Sequence, residues 1–208
     1  MSRHPELFET LRQAQRFGFF GDRAIDEAVA HADRFVAAIE DRSGRMIDLG
    51  AGGGLPGLVI ADARRDLQIV LLDRRQKRTD FLERAVRRLE LDNVVVWCRD
   101  ATDVVAAVAA GRSEDTGDGL RAIDDEMGLS GDSDVDVTGA GAGGFDIVTA
   151  RGFGPPEFTL RTAAGCLRAD GCVVISEPPS GDRWPQELLD ELDLSPTRLG
   201  AVIRFDRR

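Results

Sequence analysis

The residues that decide the fold run from Met46 to Gly57 and read Met-Ile-Asp-Leu-Gly-Ala-Gly-Gly-Gly-Leu-Pro-Gly. The first four predict a buried strand, and a glycine-rich turn follows them. Glycine has no Cβ atom, so such a turn can adopt positive φ and approach a ligand closely. We expect a helix to begin near Leu55, with Pro56 in its first turn, where proline is favoured. A strand, a glycine turn and a helix N-terminus form the first unit of a nucleotide-binding α/β sheet.

The glycine spacing argues against a dinucleotide-binding protein. The dinucleotide fingerprint has glycine at its first, third and sixth positions, but the sixth position counted from Gly50 is Leu55. The pattern Asp-x-Gly-x-Gly-Gly-Gly instead resembles the first motif of S-adenosylmethionine methyltransferases. This resemblance places Asp48, Gly50, Gly52 and Gly54 at the cofactor, with Asp48 near its ammonium end. The alternative is a glycine-rich turn that binds nothing.

A second acidic residue follows at the position expected for ribose recognition. Residues 67–72 predict the second strand, and Asp73 ends it. In nucleotide-binding α/β sheets, an acidic residue about 20 positions after the glycine loop accepts the ribose hydroxyls. Asp73 as a plain N-cap of the next helix is the alternative, and one carboxylate could do both.

Short apolar strands alternate with helices from Arg45 onward. Strands are predicted at 45–49, 67–72, 93–98, 145–149, 171–176 and about 199–206. Helices are predicted at 55–63, 75–91, 102–110, 157–168 and 184–192. This alternation indicates an α/β fold, a mainly parallel Rossmann-like sheet between two layers of helices.

Two further helices are predicted before this alternation, at 5–18 and 22–41, and Asp22 is the expected cap of the second. We therefore divide the chain into an N-terminal helical segment, 1–41, and a methyltransferase domain, 42–208. His31 lies one position off the apolar stripe of the second helix, so we expect a partly exposed side chain there.

Composition limits the class of protein. No apolar run approaches the length of a membrane span, and the N-terminus has no apolar signal region, so we expect a cytoplasmic protein. The chain has three cysteines, no Cys-x-x-Cys pair and two histidines, so no metal site is expected. Cys98 and Cys166 are predicted to be core thiols.

The segment Arg112–Gly144 interrupts the alternation. It contains eight glycines and nine acidic residues against two arginines, and we expect it to be disordered. A loop of this length is either an insertion or a functional lid, and we favour a tolerated insertion. The net charge of the chain is −10, which argues against nucleic-acid binding. Most of that charge comes from this segment, so the objection is weak.

The helix after Asp73 is basic. Only Asp80, Glu83 and Glu90 oppose its seven cationic residues, which are Arg74, Arg75, Lys77, Arg78, Arg84, Arg87 and Arg88. The helix could be a solvated face with internal ion pairs, or a surface at 74–88 that contacts RNA phosphates beside the cofactor.

Several motifs together resemble one family. They are Asp48–Gly57 with its Leu-Pro-Gly, Leu-Leu-Asp73-x-x-x-Lys77-Arg78, Arg99, and Phe145-Asp146-x-Val148-x-x-Arg151. The chain is similar to the glucose-inhibited division protein B type of small-subunit (16S) ribosomal RNA methyltransferase. That family has the seven-stranded class I methyltransferase fold and methylates guanine N7 with S-adenosylmethionine.

The resemblance also assigns residues. It implies that Gly50 and Leu55 contact the cofactor, that Asp100 and Ala101 lie at its adenine, and that Arg151 faces the methyl group. The family sheet ends in a reversed hairpin, of which only one strand is evident here, so we expect a shortened edge.

The chain departs from the family in several places. The family's N-terminal Trp-Asn and Asn-Leu-Thr signatures are absent, and Glu177 stands where the family tends to carry lysine. Two alternatives therefore remain open. One is a methyltransferase acting on another RNA or a small molecule, and the other is a cofactor-binding relative without turnover. The sequence does not indicate the oligomeric state.

Overall fold

One seven-stranded sheet forms the centre of the protein. The computed structural model describes residues 3–113, 143–178 and 183–208. The strands are β1 (Arg45–Leu49), β2 (Gln68–Leu72), β3 (Val94–Trp97), β4 (Phe145–Ala150), β5 (Leu167–Ser176), β6 (Leu194–Leu199) and β7 (Val202–Arg207). The helices within these ranges are α1 (Leu7–Arg16), α2 (Ile25–Ala38), α3 (Gly57–Ala63), α4 (Gln76–Arg88), α5 (Ala101–Ser113), α6 (Pro156–Cys166) and α7 (Gln186–Glu191).

The strand order is β3-β2-β1-β4-β5-β7-β6. Strands β1 to β5 pair in parallel, whereas β7 runs antiparallel to both β5 and β6. Strands β2 and β3 lie beyond β1 on one side of the sheet, and β5, β7 and β6 lie beyond β4 on the other. In open α/β sheets a ligand crevice forms at such a reversal, outside the carboxyl ends of the strands. The predicted mainly parallel sheet with helices on both faces is confirmed.

The two faces of the sheet bury separate cores. Successive side chains of a strand point to opposite faces. In β1, Met46 packs with residues of α1 to α4, while Ile47 and Leu49 pack with residues of α5 to α7. All three are fully buried, and burying one such side chain contributes about 1.5–3 kcal/mol.

The prediction of a core position is wrong for one of the two thiols. Cys166 is buried, as expected, but Cys98 is exposed. The reason is that β3 ends at Trp97, one residue earlier than predicted, so Cys98 lies beyond the strand. Cys172 is buried in β5, and burial raises the pKa of its thiol to about 11.

The expectation of a shortened sheet edge is wrong. Strands β6 and β7 form a complete antiparallel hairpin, paired from Leu194–Arg207 to Leu199–Val202. Strand β6 gave no sequence signal because only Leu194 in it is buried. It is an edge strand with Pro196 in it, and an edge strand can tolerate proline and lack apolar alternation.

The N-terminal helices pack on the same core as the first half of the sheet. Helix α2 contributes Ile25, Val29 and Phe35 to it, all buried. The predicted cap of α2 is wrong, because the N-cap position is Ala24 and no side chain caps the helix there. The division of the chain at residue 41 stays a prediction.

Helix α3 begins two residues later than predicted, at Gly57, with Pro56 as its N-cap. Turns continue through residues 52–56 before the helix starts. Gly57 is required by packing: a Cβ atom there would lie 2.3 Å from Leu71 and 2.7 Å from the Asp48 carboxylate. A glycine at this point lets the helix pack closely on the strands beneath it.

Residues 114–142, which make up most of the predicted insertion, lie outside the described residues. The prediction of disorder concerns that segment and stays a prediction. Helix α5 extends through Ser113, and β4 begins at Phe145. Within the described ranges, no helix is both long enough and apolar enough to cross a membrane.

Candidate functional site

A cleft lies at the crevice between the ends of β1 and β4. It consists of two adjoining cavities, of about 300 Å³ and about 250 Å³. Gly50, Arg78 and Gly152 line both. The larger cavity is also lined by Leu72, Asp73, Arg74, Arg75, Arg99, Asp100, Ala101, Phe153, Gly154, Pro155 and Phe158. The smaller is also lined by Phe19, Phe20, Ala51, Gly52, Gly53, Leu55 and Arg151.

The glycine turn forms the floor between the two cavities. Gly50, Gly52 and Gly54 have φ values of +66°, +57° and +93°, in the left-handed region that favours glycine. A Cβ atom on Gly50 would lie 2.8 Å from the Phe153 ring. One on Gly53 would lie 2.7 Å from the Phe20 ring. Backbone without side chains therefore lies under aromatic rings on both sides of the turn.

The Asp73 carboxylate stands at the wall of the larger cavity and is almost fully buried. Its Oδ2 accepts hydrogen bonds from the Gly52 N–H and Arg78 Nη1, both at 3.1 Å. Its Oδ1 accepts the Arg75 N–H at 3.0 Å. Asp73 therefore holds the glycine turn and the start of α4, which the N-cap alternative anticipated in part.

The acceptor sites of the Asp73 carboxylate fit a ribose. A carboxylate has about four acceptor sites, and three are occupied here. The third partner is Arg78, which also lies over the Phe19 ring at 6.0 Å and lines both cavities. A flexible arginine can move aside, which would leave two acceptor sites for two hydroxyls. The role of Asp73 at the ribose stays a prediction.

Asp100 and Ala101 lie in the same cavity as Asp73, at the start of α5. Asp100 Oδ1 accepts the Thr102 N–H at 3.0 Å and the Thr102 hydroxyl at 2.9 Å. These bonds hold the pKa of Asp100 below its usual range. Its Oδ2 lies 3.9 Å from Arg74 Nη1. Because its pKa is lowered, this carboxylate is ionised, and it lines the cleft. Its contact with the adenine stays a prediction.

Asp48 lies beneath the glycine turn, lines neither cavity and is buried. Its Oδ1 accepts the Thr149 hydroxyl at 2.7 Å, and its Oδ2 accepts the Gly57 N–H at 3.1 Å. Burial raises the pKa of Asp48 to about 7, although both hydrogen bonds oppose this. The carboxyl thus joins β1, β4 and α3, and its predicted place near the cofactor ammonium stays untested.

Asp48→Asn is expected to change how stability depends on pH. Folded Asp48 keeps its proton up to about pH 7, whereas an unfolded aspartate loses it near pH 4. The folded state therefore binds more protons between these values, and this contribution to stability falls as pH rises through the window. Asparagine does not titrate; its oxygen can accept the Gly57 N–H, and its NH2 group can donate to the Thr149 hydroxyl oxygen. Urea unfolding at pH 5 and pH 8 should show a smaller loss of stability in the variant; parallel losses would contradict the assignment.

Arg151 follows β4 and lines the smaller cavity with Phe19, Phe20 and Leu55. Burial lowers the pKa of Arg151, the charge of Arg23 lowers it further, and Asp48 opposes both. Among the residues that the structure describes, no carboxylate lies within 4.0 Å of its guanidinium. Arg151 therefore offers unpaired donors inside the cleft.

The structure brings most of the predicted residues together. Gly50, Asp73, Asp100 and Ala101 line the larger cavity, and Gly50, Gly52, Leu55 and Arg151 line the smaller. Asp48 and Gly54 line neither. In the described part of the chain, no group of three His, Cys, Asp or Glu side chains could hold a metal ion.

Several residues that line the cleft were not predicted to do so, among them Arg78, Phe19, Phe20 and Phe153. Arg78 was assigned only to the basic surface, but its position on the first turn of α4 directs it back to Asp73. Phe19 and Phe20 reach the glycine turn from the connection between α1 and α2. Two adjacent aromatic residues between glycines, in a predicted loop, were the available signal.

Comparison with known proteins identifies the family. The family model GidB, described as rRNA small subunit methyltransferase G, matches residues 15–112. A Ribosomal RNA small subunit methyltransferase G from Thermobifida fusca is 30% identical over 214 residues, which cover 96% of this chain and 76% of the relative. The chain belongs to this family. A relative of the same name from Sorangium cellulosum is 32% identical over 70% of the chain and 46% of its own length.

The remaining similarities agree with this family and with its fold. A Chromobacterium violaceum relative of the same name is 54% identical, but over only a quarter of each chain. Among solved structures, a SAM-dependent O-methyltransferase from Thermotoga maritima has a TM-score of 0.55 at 13% identity, over 95% of this chain and 71% of that one. The predicted class I methyltransferase fold is confirmed, and family membership makes the chain an S-adenosylmethionine-dependent methyltransferase.

Proposed function

We propose that this protein methylates guanine N7 in small-subunit ribosomal RNA, in the cytoplasm. The observation that carries the proposal is the alignment over almost the whole chain with a relative named for that RNA. The cleft at β1 and β4 supports it, because the described residues that line it include no cysteine and no histidine. Guanine N7 already carries a lone pair, so its methylation requires no general base.

The residues around the cleft suit alignment rather than proton transfer. Bound S-adenosylmethionine supplies a methyl group on a positively charged sulfur. Asp73 and Asp100 would hold its ribose and adenine in the larger cavity, and the glycine turn would carry its methionine toward the smaller one. Phe19, Phe20 and Phe153 would exclude water. Holding two reactants in line at short distance is itself a large source of rate enhancement.

Arg151 would orient the guanine. Arginine most often contacts guanine at O6 and N7 together, but a methyl acceptor must keep N7 free. Arg151 would therefore donate to O6 only, which directs the N7 lone pair toward the methyl group. The positive charge of the methyl group passes to the base, so a nearby cation gains nothing electrostatically from the reaction. Its contribution is to geometry.

Helix α4 supports the choice of RNA. Arg84, Arg87 and Arg88 are exposed on it. Within the described ranges, neither Asp80 nor Glu83 forms an ion pair with any of them, and Arg88 pairs with Glu6 of the N-terminal segment instead. Arg84 and Arg87 have no ion pair within the described ranges, so they suit contact with RNA phosphates.

Reversing Arg84, Arg87 and Arg88 to glutamate is expected to weaken RNA binding and leave cofactor binding intact. Each lost phosphate contact should reduce the slope of log affinity against log salt by about 0.7–0.9. RNA affinity at several salt concentrations and calorimetry with S-adenosylhomocysteine measure the two effects. An unchanged RNA affinity, with a lower melting temperature, would assign the helix to a solvated face.

A deletion strain tests the proposed function. Small-subunit ribosomal RNA from the strain should lack one N7-methylguanine, and the purified protein should restore it with S-adenosylmethionine. A complete set of modifications in the deletion strain, with intact cofactor binding by the protein, would redirect the search to another RNA or a small molecule.

A further inference from the structure

A second set of arginines lies on α2 and just before it. Arg23 precedes α2 and Arg34 lies on it, and both are exposed. In the described part of the chain, neither guanidinium has a carboxylate within 4.0 Å. Arg34 reaches the turn between β6 and β7, because a Cβ atom on Gly200 would lie 2.7 Å from its Nη1.

These arginines converge on His31. Its Nε2 lies 3.0 Å from the Ser176 hydroxyl at the end of β5. The pKa of His31 is lowered to about 4, mainly by burial and then by the charges of Arg151, Arg23 and Arg34. The imidazole is therefore neutral at physiological pH, and three guanidinium charges act on one half-buried ring. Of these three arginines, Arg151 also lines the cleft.

Two more arginines extend this set past the end of β5. Arg183 donates to the Ser176 carbonyl at 2.8 Å and to Glu177 at 3.2 Å. Arg198 of β6 lies 3.6 Å from the same carboxylate. The Glu177 side chain is 0% exposed and also accepts the Trp184 Nε1–H at 3.0 Å. Glu177 therefore holds Arg183 and Arg198 from inside, and the three groups together carry one net positive charge.

We propose that the β5-end arginine cluster, formed by Arg23, Arg34, Arg183 and Arg198, binds the backbone phosphates of RNA next to the nucleotide that Arg151 orients. Among the described residues, the cluster spreads over α2, the end of β5 and the β6–β7 hairpin, which suits an extended polyanion better than one small anion. It meets the cleft at Arg151. Arg78, on the first turn of α4, lines the same cavity as Arg151, so an RNA strand could contact both the cluster and α4 while its base enters the cleft.

This proposal rests on the proposed function, and a double variant tests it. Arg23→Gln with Arg34→Gln removes two exposed charges that make no ion pair within the described residues. The control, Arg161→Gln with Arg208→Gln, removes the same charge at residues paired with Glu191 and Asp190. Arg161 is on α6, which packs on the opposite face of the sheet from α2.

The binding of unmodified small-subunit ribosomal RNA is measured at several salt concentrations. The Arg23 and Arg34 variant should bind roughly tenfold more weakly, with a log–log salt slope smaller by about 1.4–1.8. The control should match the wild type, and all three proteins should bind S-adenosylhomocysteine equally. Equal RNA affinities in the two double variants would overturn the proposed role of the cluster and leave the proposed function standing. A wild-type protein that binds the cofactor but neither binds nor methylates the RNA would overturn the proposed function itself.

Discussion

Replacement of Arg151 by alanine is expected to lower kcat for RNA methylation by about 10²-fold, while S-adenosylhomocysteine binds nearly as well as to the wild type. The guanidinium lies inside the smaller cavity with no carboxylate within 4.0 Å among the described residues, so its donors are available to a base. Without that contact the base can rotate, and small errors in alignment cost about this much in rate. Single-turnover methylation with saturating RNA measures the effect.

Arg151→Lys separates geometry from charge. Lysine keeps the positive charge but loses the planar set of donors that arginine presents. We expect the lysine variant to be nearly as slow as the alanine variant, because orientation of the guanine is the proposed contribution. Wild-type rates in the lysine variant would assign Arg151 an electrostatic role. Wild-type rates in the alanine variant would remove it from the site.

Asp73→Ala is expected to weaken cofactor binding by roughly tenfold to 150-fold, since a charge-assisted hydrogen bond contributes about 1.5–3 kcal/mol. The loss has two sources. The ribose hydroxyls lose their acceptor, and the glycine turn loses the bond from the Gly52 N–H to Asp73 at 3.1 Å. Calorimetry with S-adenosylhomocysteine measures the affinity.

Two further variants identify the source of that loss. Asp73→Asn keeps one acceptor oxygen for the Gly52 N–H, so it should retain the shape of the turn and still bind the cofactor poorly. Asp80→Asn removes a carboxylate from α4 that hydrogen-bonds only to Gln76 among the described residues, and it should bind normally. Wild-type affinity in both Asp73 variants would exclude Asp73 from the ribose site.

The positions of several residues along the sequence explain why their common place at the cleft was predictable. The glycine turn, Asp73, and the pair Asp100–Ala101 each directly follow an apolar strand or begin the next helix. In a parallel sheet the carboxyl ends of all strands meet at one edge. Recognising three strands therefore suffices to place these residues together, without knowledge of any side-chain contact.

Contacts between distant segments were not predictable in this way. His31 was expected to be an ordinary partly exposed helix residue, but α2 places it against Ser176, 145 residues later in the chain. Glu177 was noted only as a departure from the family, and its burial between Arg183 and Arg198 depends on the hairpin that the sequence did not reveal. Edge strands carry little periodicity because neither face needs to be apolar along its whole length.

The sequence alone determined the parallel α/β sheet, the position of the glycine turn and the family, because strand periodicity and turn chemistry are local properties. Only the tertiary structure decided which charges are free and which are paired. Arg78 is bound to Asp73 and Arg88 to Glu6, whereas Arg23, Arg34 and Arg151 converge on one neutral histidine. An ion pair such as Arg88 with Glu6 depends on distances of a few ångströms between separate elements, and no local pattern in the chain encodes those distances.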